Sequence, residues 1–148
     1  MPRPQNNRIV KTPPLYKSFK PVGLRSKSLS ISSFSLDEFE AIRLADYIGL
    51  QHEAAAVEME ISRPTFTRLI DKARKKMAKF IIEGQVLNIE GGKIHFRQNI
   101  FRCLTCGHEF TTDFDQETKL CPSCKSENLL NLARDFGHGK CCRIRTVN

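Results

Sequence analysis

The residues best equipped for chemistry in this sequence are cysteines. Cys103 and Cys106 form one C-x2-C pair and Cys121 and Cys124 a second, with fourteen residues between the pairs. A C-x2-C knuckle points two thiolates at one centre, and two knuckles complete the tetrahedral sulfur set that Zn2+ prefers. The separation falls just below the usual span of about 15–20 residues for such sites. Four thiolates close the coordination sphere, so the spacing points to a structural zinc ion; the same set would also accept iron, as in a rubredoxin-like site. Residues 97–130 carry few large apolar groups and are expected to need the metal to fold as a zinc ribbon. His138, Cys141 and Cys142, in a basic tail over residues 131–148, are candidate ligands of a second metal or of a redox-responsive site. They fall short of a closed ligand set.

A second chemistry is written in charge. The chain of 148 residues has a formal net charge of +8, which favours a polyanionic partner, nucleic acid ahead of an acidic membrane surface. No apolar run approaches the roughly 20 residues of a membrane span, and no signal-peptide core is evident. A cytoplasmic protein is expected, in which six cysteines serve as metal ligands rather than disulfides. No nucleophile–base pair, paired carboxylate site or phosphate loop suggests an enzyme.

The elements that must position these groups centre on residues 50–78. Ala55 and Ala56 are small, as a closely crossed helix requires, and Met59 and Ile61 flank a turn. Ser62 is a good N-cap and Pro64 falls in the first turn of the next helix. Phe66, Leu69, Ile70, Ala73 and Met77 then recur at the period of one helix face, with Arg68, Lys72, Lys75 and Lys79 opposite. Helix, turn and basic helix is the layout of a DNA-reading helix-turn-helix. Arg63, Thr65, Thr67 and Arg68 are expected at base edges, and Lys72, Lys75, Lys76 and Lys79 at phosphates.

Around this motif, residues 1–35 read as a basic, proline-containing arm. A helix is expected to start at Ser35, where Ser35 and Glu38 match a capping box and Leu36, Phe39, Ile42 and Ala45 make a buried stripe. Its acids, Asp37, Glu38, Glu40 and Asp46, imply that it faces away from DNA. QVLNIEGGKIHF alternates about Gly91–Gly92 and reads as a β-hairpin, either a lid on the core or a wing carrying Lys93 and Arg97. Residues 36–96 would thus form the helix-turn-helix domain with its hairpin.

Several segments together resemble an uncharacterised family of small prokaryotic proteins described as predicted DNA-binding proteins. They are MPRP at the start, FKPVG at 19–23, LDEFEAIRLAD at 36–46, SRPTFTRLIDKARKKMA at 62–78 and the EG…IEGG stretch at 83–92. The resemblance implies a helix-turn-helix similar to region 4 of sigma factors, with Ser62, Arg63, Pro64, Thr65 and Thr67 opening the recognition helix. Glu60 stands where that pattern has glycine, and Gln51 where it has a serine or threonine cap.

The combined expectation is a mainly α fold with a sigma-region-4-like helix-turn-helix and a small hairpin, followed by a zinc ribbon. Its expected function is sequence-specific binding of double-stranded DNA in transcription regulation, with a homodimer left open. Two alternatives are a metal- or redox-responsive regulator using the Cys/His tail, and a ribbon that docks on the transcription machinery.

Overall fold

The computed structural model describes residues 7–23, 28–92, 94–113 and 115–134. Two compact units divide the chain: residues 1–10 with 14–94, and residues 11–13 with 95–148.

In the first unit, β1 (Arg8–Ile9), β2 (Ser18–Phe19) and β3 (Ile31–Phe34) precede helix α1 (Leu36–Ile42). A π-helical stretch, Arg43–Ile48, extends α1 to Gly49. Helix α2 (His52–Met59) and the long helix α3 (Arg63–Glu83) follow, then β4 (Val86–Ile89). Ser62 caps α3: its Oγ accepts a hydrogen bond from the Thr65 N–H at 3.3 Å, and Pro64 sits in the first turn. Gly84 ends the helix. Ala41, Leu44, Ala55, Ala56, Met59, Phe66, Leu69 and Ile70 form one buried cluster, so the apolar face of α3 is locked against α2 and the α1 region.

Between α2 and α3 the chain turns through Glu60, at φ 55° and ψ 44°. The Glu60 and Ile61 N–H groups bond back to Val57 and Ala56. A left-handed residue lets the chain reverse within three positions. Glutamate accepts this conformation at a cost that glycine would avoid.

The expectation of a mainly α fold is corrected. Helix takes 36% and strand 21% of the described residues, in three helices and three small sheets, which makes the fold α/β. The expected hairpin about Gly91–Gly92 does not form. β4 instead sits between β2, antiparallel to it, and β3, parallel to it, with Phe19 opposite Leu87 and Phe34 opposite Ile89. Residues counted with the basic arm thus supply both neighbours of β4. Three strands joined at long range satisfy β4 on both edges, which a two-stranded hairpin cannot.

The glycine pair has another use. Gly91 accepts a hydrogen bond from the Leu36 N–H at 3.1 Å, satisfying an orphan donor at the start of α1. No cap is needed from the Ser35 side chain, which makes none. Glu38 is turned inward, and Asp37, Glu38 and Glu40 are all buried, while Phe39, Ile42 and Ala45 are half-buried. The acids tolerate burial because each has a cation: Arg8 on Asp37, Lys76 and Lys72 on Glu38, Arg43 on Glu40.

In the second unit β5 (Ile94–His95), which begins in the first, leads to β6 (Asn99–Cys103), β7 (Glu109–Thr112) and β8 (Leu129–Asn131). β6 is central in an antiparallel sheet of order β7-β6-β8, with Phe101 opposite Phe110 and Cys103 opposite Leu129. The Phe101 and Phe110 rings stack at 5.6 Å.

Candidate metal centre and candidate nucleic-acid surface

Cys103 ends β6, and Cys121 opens the turn that leads to β8. Both knuckles close in the same way. Gly107 N–H donates to the Cys103 carbonyl at 2.9 Å and Lys125 N–H to the Cys121 carbonyl at 2.8 Å. Cys103 N–H donates to His108, and Cys121 N–H to Ser126, both at 2.9 Å. The fifth position of each knuckle is left-handed, with φ 78° at Gly107 and 60° at Lys125. Thr105 and Ser126 hydroxyls, 2.8 Å apart, tie one knuckle to the other.

The four sulfurs lie within 4.8 Å of one another, with Cys103 and Cys124 at 3.6 Å and Cys106 and Cys121 at 3.7 Å. A disulfide needs about 2.05 Å. A tetrahedron of thiolates at about 2.3 Å from a central ion has edges of about 3.8 Å. The cage therefore fits one ion, and these four cysteines could hold a metal. Cys103 and Cys121 are buried, Cys106 and Cys124 exposed.

Hydrogen bonds from the Cys106 and Thr105 backbone outweigh burial and hold the Cys103 thiol down at about 6. At Cys121 burial disfavours the thiolate, but the Cys124 and Ser123 N–H groups bring its pKa below the ordinary value. The Ser126 N–H favours a Cys124 thiolate, yet local desolvation and the three neighbouring thiols push that group up to about 12. The last proton is hard to remove because other sulfurs crowd it. A divalent cation at the centre would offset that crowding.

On α3, Arg63, Thr67 and Arg68 are exposed and Thr65 is half-buried. Thr65 Oγ1 lies 2.7 Å from Ser62 Oγ. Thr67 Oγ1 lies 3.1 Å from His52 Nδ1, and the His52 ring meets Phe66 edge-on at 5.4 Å. His52 therefore fixes the Thr67 hydroxyl, a role the sequence reading missed; no local pattern links residues fifteen positions apart.

The lysines divide. Lys75 pairs with Asp71 at 3.2 Å, one turn back on the same exposed face. Lys72 is exposed and 3.7 Å from Glu38. Lys76 is committed to the fold, donating to Glu38 Oε1 and to the Ser33 carbonyl, both at 2.9 Å. Lys79 is exposed. Arg74 makes a bidentate pair with Asp46 at 2.7 and 3.1 Å. His138, Cys141, Cys142 and Lys93 lie outside the described residues. No helix among the described residues is long and apolar enough to cross a membrane.

An α/β unit presenting a half-exposed basic helix, joined in sequence to a sheet with a tetrathiol cage, defines the class. A family model described as "Protein of unknown function DUF134" matches residues 1–97. A UPF0251 protein of Chloroherpeton thalassium is 48% identical over 145 residues, 98% of this chain and 96% of its own. UPF0251 proteins of Chlorobaculum tepidum and Moorella thermoacetica are 42% and 38% identical, over 94% and 97% of this chain and 72% and 94% of theirs. The chain belongs to this DUF134/UPF0251 family. No solved structure matches it.

Proposed function

We propose that this protein binds double-stranded DNA sequence-specifically through the N-terminal half of α3, in the service of transcription regulation. The observation that carries this reading is the two-sidedness of that helix. Phe66, Leu69, Ile70 and Ala73 anchor one face in the core, while Arg63, Thr67 and Arg68 stand exposed at the N-terminal end of the other. A recognition helix enters the major groove with its first turns. Arg63 and Arg68 suit guanine O6 and N7, and Thr67, held by His52, offers a fixed hydroxyl. Lys72 and Lys75 are within reach of flanking phosphates. Lys79, about 24 Å along the helix from Arg63 against about 14 and about 18 Å for Lys72 and Lys75, lies farthest from the groove.

In this reading the four thiols hold a zinc ion whose work is to fold residues 99–131. This segment serves a different partner. Residues 97–134 carry five basic and five acidic side chains, a balance that does not draw a polyanion. They expose Leu104 and Leu120, which favours docking on a protein; in this reading that protein belongs to the transcription machinery.

Selection of random duplex DNA on the zinc-loaded full chain tests the main reading. The expected result is one enriched motif bound at least about a thousandfold above random DNA. Binding without enrichment, collapsing steeply as salt rises, would reduce the helix to a phosphate-holding surface.

A further inference from the structure

The last turn of α3 is apolar where the first turns are charged. Ile81 and Ile82 are 70% and 82% exposed although they lie inside a regular helix. Ala78, one turn earlier, is exposed on the same face. A helix end that must face only water has no use for two isoleucines there.

The charges beside this stripe are arranged in a particular way. Lys79 and Glu83, four residues apart, are both exposed on one flank of it. Lys79 has no ion-pair partner among the described residues, and Glu83 is engaged through one oxygen, Oε2, by Gln85 Nε2 at 3.1 Å. When two identical helices pack antiparallel about a two-fold axis, each flank meets the same flank of its partner with the direction reversed. With the axis level with Ile81, Lys79 of one copy falls opposite Glu83 of the other, and Glu83 opposite Lys79. The isoleucines meet between them. The patch is complementary to itself, as an isologous contact requires.

We propose that the Ile81–Ile82 face binds a second copy of this chain, the two α3 helices packing antiparallel with reciprocal Lys79–Glu83 pairs. The contact is small, so the dimer is weak in free solution and forms at high local concentration, such as two adjacent sites on one partner. The contact does not rest on the DNA-reading proposal, since it uses the opposite end of α3.

Sedimentation equilibrium of the zinc-loaded full chain, from micromolar to millimolar concentration, provides the test. The expected result is reversible monomer–dimer behaviour, abolished by Ile82→Glu with unchanged circular dichroism. Lys79→Glu and Glu83→Lys alone each weaken association at least about tenfold, and the double reversal K79E/E83K restores it. A chain that stays monomeric throughout overturns the proposal. So does association indifferent to Ile82→Glu, or a double reversal no better than the single ones. Loss of sequence enrichment on DNA leaves these outcomes untouched, so the two proposals can fail separately.

Discussion

Lys76 and Glu38 lie 2.9 Å apart across 38 residues of sequence, and the Glu38 side chain is only 3% exposed. The same ammonium also donates to the Ser33 carbonyl on the outer edge of β3. One side chain therefore joins the long helix to α1 and blunts a strand edge.

Removing it should be costly. Lys76→Ala leaves Glu38 buried with only Lys72, at 3.7 Å, for compensation. We expect a loss of about 2–4 kcal/mol in denaturant unfolding, against less than about 0.5 kcal/mol for Lys75→Ala, whose Asp71 pair is exposed. Equal small losses would show that Glu38 is satisfied elsewhere.

The left-handed Glu60 should be improvable. Glu60→Gly removes the Cβ clash at φ 55° and is expected to stabilise by about 0.5–1 kcal/mol, read as a rise in Tm. A drop in Tm would mean that the glutamate side chain contributes more than its backbone costs.

On DNA, Arg68→Ala should reduce affinity for the selected motif by about 1–3 kcal/mol while changing nonspecific affinity little. Lys75→Ala should weaken both alike and lower the salt slope. Titration of each variant on specific and random duplexes separates the roles, and equal losses for Arg68→Ala on both would remove it from the reading face.

Zinc should be present at one ion per chain by elemental analysis, and Cys121→Ser should abolish stoichiometric binding. Chelation is expected to expose residues 99–131 to proteolysis while the helical circular dichroism persists, since no helix contributes a ligand. Iron at one per chain, with its colour, would change the metal and keep the cage.

Asp46 gives a small pH effect of known sign. The Arg74 hydrogen bonds hold its carboxyl below the ordinary value of 3.8. A depressed acid stabilises the fold above its unfolded value and loses that contribution as pH falls through the folded value. The advantage of wild type over Asp46→Asn should therefore be present near neutrality, begin to fall near pH about 4 and be lost as pH drops through the lowered folded value, with a size under about 0.5 kcal/mol because both partners are exposed. An advantage that grows on acidification would contradict the assignment.

What the sequence determined by itself was whatever depends on near neighbours. The Ser62 cap, the apolar period from Phe66 and the stop at Gly84 place α3, because helix hydrogen bonds and faces are set within four residues. The two C-x2-C pairs likewise name a tetrathiol cage that could hold a metal, since each knuckle closes its own hydrogen bonds over five residues. Strand partners were decided only in three dimensions. β4 could have folded on the Gly91–Gly92 turn, but Ser18 and Phe19, some 70 residues earlier, and Ile31–Phe34 pair with it instead. Those partners satisfy both edges of β4 and free the Gly91 carbonyl to cap α1. The same holds for Asp37, Glu38 and Glu40. By type they belong on the surface, yet cations brought from residue 8, from the next turn and from α3 let the fold bury them. A charge can be buried only where its partner arrives, and that arrival is a property of the tertiary structure.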